Sequence, residues 1–108
     1  MGHGVGAALN VHEGPHRISR MLDPQPFLPG MIISNEPGYY ETGNFGIRIE
    51  NLLECVERSD LPAFGGLKFL GFERLTHIPI QQKLISVPLL SDKDIAWLNK
   101  YNQDIRYE

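Results

Sequence analysis

The alternation of apolar and polar positions predicts a β-rich first half of the chain. Residues 4–12 (GVGAALNVH) are apolar and rich in glycine, which predicts a strand with a bend. Residues 13–30 are crowded with proline and glycine and are predicted to form a long connecting loop. The β-branched run at 31–35 (MIISN) then predicts a short buried strand, which the turn signal Pro37-Gly38 ends.

A second pair of segments predicts an antiparallel hairpin. Residues 39–46 (YYETGNFG) carry turn residues at their tip, and residues 45–57 (FGIRIENLLECVE) alternate with a period of two. In such a strand Glu50 shares a face with Gly46 and Arg48. The apolar side chains of the same run lie on the opposite face; they are Phe45, Ile47 and Ile49. The runs on the two sides of the turn are therefore expected to pair.

The last part of the chain predicts one more strand and one helix. A turn at 61–66 (LPAFGG) precedes a strand candidate at 67–80 (LKFLGFERLTHIPI). Residues 91–108 predict a helix, because Ser91 and Asp94 form an S-x-x-D capping box before a stripe with helical spacing. The stripe consists of Ile95, Leu98, Tyr101 or Asn102, and Ile105. We expect an α+β fold, a curved antiparallel sheet with this helix packed across its back.

Composition narrows the classes of protein. The chain has 108 residues, 42% of them hydrophobic, which is enough for one domain at most. A net charge of -3 with dispersed Lys and Arg predicts no nucleic-acid partner. The apolar runs are shorter than the roughly 20 residues of a bilayer span, and no secretory leader opens the chain, so we expect neither membrane insertion nor export. The single cysteine, Cys55, fits a reducing, cytoplasmic location.

Two glutamates and two histidines suggest a metal site. Glu36 and Glu50 stand at the ends of apolar segments, and Pro37 stiffens the chain after Glu36. His3 and His12 are nine residues apart and converge only if glycines bend the chain between them. Singly, each side chain is more typical of a surface, but as a set they offer the mixed N and O ligands of Zn, Mn or Co. The other histidines, expected at the surface or in hydrogen bonds, are His16 and His77.

Three motifs resemble a known enzyme family. They are GHGVGAALNVHEGPH, NEPGYYETGNFGIRIEN and the tail FERLTHIPIQQKLI with LSDKDIAWLNKY. Together they resemble the C-terminal part of the catalytic domain of aminopeptidase P (Xaa-Pro aminopeptidase), in its cytosolic eukaryotic form. That family belongs to the pita-bread metallopeptidases, with prolidase, creatinase and methionine aminopeptidase. The resemblance implies that residues 1–108 are the second half of a pita-bread fold.

The resemblance also implies roles for individual residues. The family holds two divalent ions, usually manganese. His3 would ligate one ion, Glu36 would bind the same ion and act as general acid and base, and Glu50 would bridge both ions. His12 would bind the substrate near the scissile peptide and the developing oxyanion. Arg48 is expected to support the site and contact the substrate.

One part of the family pattern is missing from this sequence. The family site also takes two aspartates from a strand upstream of the GHG motif, whereas this chain opens inside that motif. Its own aspartates stand in other contexts: Asp23, Asp60, Asp92, Asp94 and Asp104. We therefore expect a fragment without its upstream half, inactive alone, with an incomplete metal site and a tendency to self-associate through uncovered sheet edges. A homodimer is expected for the full-length protein.

The resulting hypothesis is a metal-dependent aminopeptidase that removes the first residue from peptides with proline second. Two alternatives remain open: a non-catalytic pita-bread module that binds peptides or proteins, and a relative with another substrate, such as a prolidase-like dipeptidase. The presence of His3, His12, Glu36 and Glu50 together argues against the module. VHEGP followed by NEPGYY favours aminopeptidase P over prolidase.

Overall fold

A computed structural model describes residues 2–22 and 25–107 and divides the chain into two compact units, residues 1–76 and 77–108. Each unit is described by itself. The strands of the first unit are β1 (Gly2–Gly4), β2 (Glu13–Ile18), β3 (Ile32–Asn35), β4 (Gly38–Glu41), β5 (Phe45–Arg48), β6 (Asn51–Glu57) and β7 (Leu70–Arg74). The second unit holds two short 3-10 turns (Gln82–Leu84 and Val87–Leu89) and the helix α1 (Asp92–Tyr107).

The core of the first unit lies on β3 and β6, the middle strands of a five-stranded antiparallel sheet in the order β2-β1-β3-β6-β7. Ile33 and Cys55 are fully buried there. Leu53 pairs with Ile33 and stands two residues from Cys55, so these side chains share one face. Ser34, on the opposite face of β3, is also fully buried. The central strand is therefore covered on both sides.

Strands β4 and β5 form a separate two-stranded sheet, yet they continue the register of β3 and β6. Asn35 pairs with Asn51, and Gly38 pairs with Arg48, three residues further along each strand. No residue is gained or lost in between. The N–H of Ile49 donates to the carbonyl of Pro37 (3.1 Å), which carries the pairing across the gap. The two sheets are thus parts of one long antiparallel ribbon with a short interruption.

The strand predicted at 4–12 is wrong. Strand β1 stops at Gly4, and the following residues turn, with Leu9 at a positive φ of 56°. The next strand lies at 13–18, inside the predicted loop. Pro15 is tolerated there because β2 is an edge strand, where the missing N–H of proline leaves no ladder bond unmade.

Two other predicted strands have different bounds. The run at 45–57 divides into β5 and β6, because the ribbon is interrupted at residues 49 and 50. The candidate at 67–80 shortens to β7. The turn predicted at 61–66 is confirmed by reciprocal backbone hydrogen bonds between Phe64 and Leu67 across Gly65 and Gly66. Both glycines have positive φ, which a two-residue hairpin loop of this kind requires.

The predicted helix and its capping box are confirmed in the second unit. Ser91 Oγ accepts from the Asp94 N–H (3.2 Å), and Asp94 Oδ2 accepts from the Ser91 N–H (2.9 Å). These bonds from Ser91 lower the pKa of the Asp94 carboxyl. The members of the predicted stripe are buried or half-buried: Ile95, Leu98, Tyr101, Asn102 and Ile105. Packing of this helix against the sheet stays a prediction.

Tyr101 anchors the helix within its own unit. Its side chain is only 5% exposed, and its hydroxyl donates to the carbonyl of Ile78 (2.9 Å). A buried phenol needs such a partner, so the segment before the 3-10 turns is tied to the helix. Among the described residues, no helix has the length and apolar character needed to cross a bilayer.

Candidate metal centre

Glu36 and Glu50 lie opposite each other at the interruption of the ribbon. Glu36 lies between β3 and β4, and Glu50 lies between β5 and β6. Because Asn35 pairs with Asn51 and the register is unbroken, the next residues inward are these two glutamates. Directly opposed residues share a face, roughly 5 Å apart at Cβ, and two like charges there are destabilising. A cation between the carboxylates would reverse that effect.

The third donor, His3, comes from the neighbouring strand. Gly4 pairs with Ile33, so His3 stands beside Ser34, on the same face as Glu36 two residues later. The His3 N–H donates to Ser34 Oγ (2.9 Å), and that hydroxyl lies 3.4 Å from the His3 carbonyl. The ligand atoms of His3, Glu36 and Glu50 all lie within 4.8 Å of one another. Three separate segments therefore converge on one point.

The hydrogen bonding of His3 leaves one ring nitrogen available. Nδ1 lies 2.9 Å from the carbonyl oxygen of Gly4, and Nε2 lies 3.7 Å from Glu36 Oε2. In the neutral ring, Nδ1–H donates to that carbonyl, and the Nε2 lone pair points toward the carboxylate. Metal-bound histidines commonly have this arrangement, with the second nitrogen held by a backbone carbonyl.

The charges around Glu36 favour its ionised form. Partial burial by itself would raise the pKa of this carboxyl, but positive charge close to it, the Arg48 guanidinium included, lowers it overall. Glu36 is therefore ionised in the neutral pH range, and an ionised carboxylate is the form that coordinates a cation.

Arg48 holds the other carboxylate. Its Nε lies 3.2 Å from Glu50 Oε2. A hydrogen bond to Tyr40 and then the charge of Glu50 raise the pKa of Arg48. The Tyr40 ring lies across Gly38 and Gly46, where an added Cβ would come within 2.9 Å and 2.7 Å of ring carbons. Glycine at both positions thus lets Tyr40 lie flat and steady the guanidinium that orients Glu50.

His12 also lies at this site. The backbone after Gly4 turns, with the Leu9 N–H donating to the Gly6 carbonyl (3.2 Å), and brings His12 back to His3. The two rings meet edge to face, with centroids 4.7 Å apart and planes at 87°. The His12 side chain is exposed beside the converging donors. Its substrate-binding role stays a prediction.

His16 supports the site and was not singled out from the sequence. It is only 8% exposed, and its Nε2 lies 3.0 Å from the carbonyl oxygen of Ile32. Strand β1 separates these two residues, so His16 reaches across it, over Gly4. A Cβ at Gly4 would lie 3.0 Å from the His16 ring. The sequence feature that could have indicated this role of His16 is the second glycine of the GHG motif, which makes room for a neighbouring ring.

The described donors fit a divalent cation. One imidazole nitrogen and two carboxylates suit Mn, Zn or Co, and the adjacent negative charges call for a positive partner. Three donors fill only part of the coordination of an octahedral ion.

Comparison with known proteins identifies the family. The model of metallopeptidase family M24 matches residues 1–57, and the model of the C-terminal region of peptidase M24 matches residues 68–108. The chain belongs to metallopeptidase family M24. The resemblance noted in the sequence is therefore confirmed.

One relative of the chain is aminopeptidase P2 of Arabidopsis thaliana, which is 57% identical to it over 105 residues. A probable Xaa-Pro aminopeptidase P of Botryotinia fuckeliana is 51% identical over 106 residues. In both cases the match covers 96% of this chain but only 15% and 16% of the relative. The M24 chain thus corresponds to a small part of those proteins.

A solved structure confirms the fold. The X-prolyl aminopeptidase of Caenorhabditis elegans, described as a cytosolic enzyme with a di-nuclear active site, matches with a TM-score of 0.74 and 39% identity. The match covers 96% of this chain and 17% of that one. The M24 chain has the predicted α+β architecture, an antiparallel sheet and a C-terminal helix that match part of this pita-bread enzyme.

We predict that Gly4→Ala destabilises the first unit by roughly 1–3 kcal/mol, the range for overpacking. The added Cβ would lie 2.6 Å from the backbone oxygen of Glu13 and against His16, so β1 or β2 must move. Urea unfolding measures the effect. Gly14→Ala is the control, because nothing lies within 4 Å of its Cβ, and it should change stability by less than about 0.5 kcal/mol. Equal stability of the two variants would contradict the close packing around Gly4.

Proposed function

We propose that this chain is the C-terminal part of the catalytic domain of a di-metal aminopeptidase, which removes the first residue from peptides with proline second. The observation that carries the proposal is the convergence of ligand atoms from His3, Glu36 and Glu50 within 4.8 Å. It occurs in a chain of family M24 that is 57% identical to an aminopeptidase P.

The donors would be shared between two divalent ions, most simply Mn2+. His3 and Glu36 would hold one ion, and Glu50 would lie between both, opposite Glu36 across the ribbon. The di-nuclear site of the C. elegans relative supports two ions. When bound, such a pair acidifies water and polarises a carbonyl group. The remaining ligands, which the family resemblance gives as two aspartates, would come from a longer chain.

The residues of this chain would then handle protons and orientation. Glu36, ionised and half-buried, takes the proton of the attacking water and returns it to the leaving amine. His12, beside His3, offers a ring N–H to the substrate carbonyl. Arg48, held by Tyr40, keeps Glu50 in place and adds positive charge next to the substrate. Each of these groups stands on or next to a strand, which fixes its position with little freedom.

The location, the substrate and the assembly of the protein are part of the same proposal. A cytosolic location is supported by the cytosolic C. elegans relative. The substrate is a peptide with an Xaa-Pro N-terminus, and the full-length protein forms a homodimer. The 108-residue chain alone is inactive and binds metal weakly, because its described donors cannot complete two coordination spheres.

We predict that micromolar Mn2+ stabilises the isolated chain by no more than about 0.4 kcal/mol, the value reached when free metal equals Kd. For a domain of this size that corresponds to a melting-temperature rise of roughly 2–3 °C. Thermal unfolding with and without Mn2+ measures it. Glu50→Gln should abolish the rise, and Glu73→Gln, an exposed glutamate on β7, should leave it unchanged. A much larger rise would show that these donors alone form a strong site.

In a chain of the relatives' full length, we predict that Glu36→Gln lowers kcat for an Xaa-Pro peptide by about a thousandfold, within the range for lost general acid–base catalysis. The amide keeps an oxygen ligand, so most bound Mn2+ should remain, as elemental analysis would show. Glu73→Gln is again the matched control. Undiminished turnover would show that Glu36 does not transfer the proton. Loss of both metal and turnover would show that Glu36 acts as a metal ligand and not as the general base.

A further inference from the structure

The loop that carries His12 is exposed along its whole length. Residues 5–12 connect β1 to β2 and are called the β1–β2 loop here. All of them are exposed, including the apolar side chains of Leu9 (89%) and Val11 (82%). A segment with little buried apolar surface opens easily unless other contacts hold it. Polar contacts are therefore needed to keep the conformation that brings His12 back to His3.

The sheet holds His12 only indirectly. The pairing of β1 with β2 ends at Gly4 and Glu13, so His12 lies one residue outside it, at the end of the β1–β2 loop. Its ring nevertheless meets the His3 ring edge to face, with centroids 4.7 Å apart. The direction of the His12 side chain therefore depends on the backbone of the loop.

The Glu13 carboxylate contacts both sides of the β1–β2 loop. Its Oε1 accepts the N–H of Asn10 (3.1 Å), on the returning side. Its Oε2 lies against Gly6, on the outgoing side, where an added Cβ would clash with this oxygen. Glu13 is half-buried, in contrast to the exposed residues of the loop. One side chain thus joins the two sides of the loop at its base.

The hydrogen bond from Asn10 to Glu13 encloses His12. Its donor lies two residues before His12 and its acceptor one residue after, so the bond closes a ring of chain that contains the His12 backbone. The other turn of the loop, in which the Leu9 N–H donates to the Gly6 carbonyl (3.2 Å), ends before His12. The bond to Glu13 is therefore the contact that restricts His12 itself.

We propose that Glu13 is a positioning residue, whose carboxylate holds the β1–β2 loop closed and keeps the His12 ring against His3. Its effect on the reaction rests on the proposed function, in which His12 offers an N–H to the substrate carbonyl. Glu13 acts through the loop backbone and not on the substrate. Gly6 belongs to the same arrangement, because its missing side chain leaves the space that the carboxylate occupies.

The first test needs neither metal nor activity. It measures the NOE between the ring protons of His3 and His12 in the 108-residue chain, with a dispersed amide spectrum as evidence that each variant is folded. Glu13→Ala removes the carboxylate and should abolish this NOE. Glu13→Gln keeps an oxygen for the Asn10 N–H and should retain it.

A second variant displaces the carboxylate without removing it. The Cβ of Gly6→Ala would push the Glu13 carboxylate, the end of a flexible side chain, away from the loop. Gly6 does not have a positive φ, so alanine can adopt its backbone conformation. The NOE should again be lost. Gly14→Ala is the matched control, because nothing lies within 4 Å of the added Cβ, and it should retain the NOE.

The second test measures turnover of an Xaa-Pro peptide by a chain of the relatives' full length. His12→Ala should lower kcat about a hundredfold, as loss of one oxyanion donor does. Glu13→Ala should lower kcat about tenfold, because a misplaced donor keeps part of its effect. Added to His12→Ala, Glu13→Ala should cause no further loss, since both changes act through the same ring.

The proposal is overturned if the unmodified chain shows no NOE between His3 and His12, or if the NOE persists in Glu13→Ala and Gly6→Ala. It is also overturned if Glu13→Ala lowers kcat equally with and without His12, which would make Glu13 a support of the fold alone. Turnover that His12→Ala leaves unchanged would contradict the proposed function, whereas the NOE would still decide whether Glu13 positions the ring.

Discussion

The antiparallel register of one ribbon, which brings two carboxylates together from opposite strands, is the constraint on which the metal centre of the first unit depends. The unbroken register from β3 and β6 into β4 and β5 makes Glu36 and Glu50 neighbours. An ordinary ribbon avoids like charges in that position, because they weaken the pairing. A cation turns the same geometry into a ligand set. The regular pairing of the strands is interrupted at these two residues, where their side chains converge.

Several packing features hold the donors in that geometry. The buried hydroxyl of Ser34 fixes the backbone of His3, and the carbonyl of Gly4 fixes its ring. His16 reaches across β1 to the neighbouring strand, which only a glycine at position 4 permits. These contacts act on the position of His3 and not on its chemistry. The glycines of the GHG motif therefore support the metal centre because they have no side chain, so that neighbouring groups can pack closely against β1.

Local signals in the sequence predicted much of the fold and little of the site. The capping box of Ser91 and Asp94 and the glycine pair at 65–66 each determine a structure within a few residues, and both were predictable. The strand at 13–18 was not, because an edge position makes Pro15 acceptable, and edges are defined only by the assembled sheet. Sequence spacing alone left His3 and His12 on opposite faces. Their convergence depends on a turn after Gly4 that no local pattern specified, so the expectation of a common site depended on the family resemblance.

The central claim is that His3, Glu36 and Glu50 ligate a common cation because the ribbon register brings them together. Anomalous diffraction tests it most directly, on crystals grown with Mn2+ of a chain that has the relatives' full length and includes these residues. The account predicts an anomalous peak within roughly 2.0–2.6 Å of donor atoms from all three side chains, as expected for oxygen and nitrogen ligands of such ions. A peak elsewhere, or a structure in which Glu36 and Glu50 turn away from each other, would contradict it.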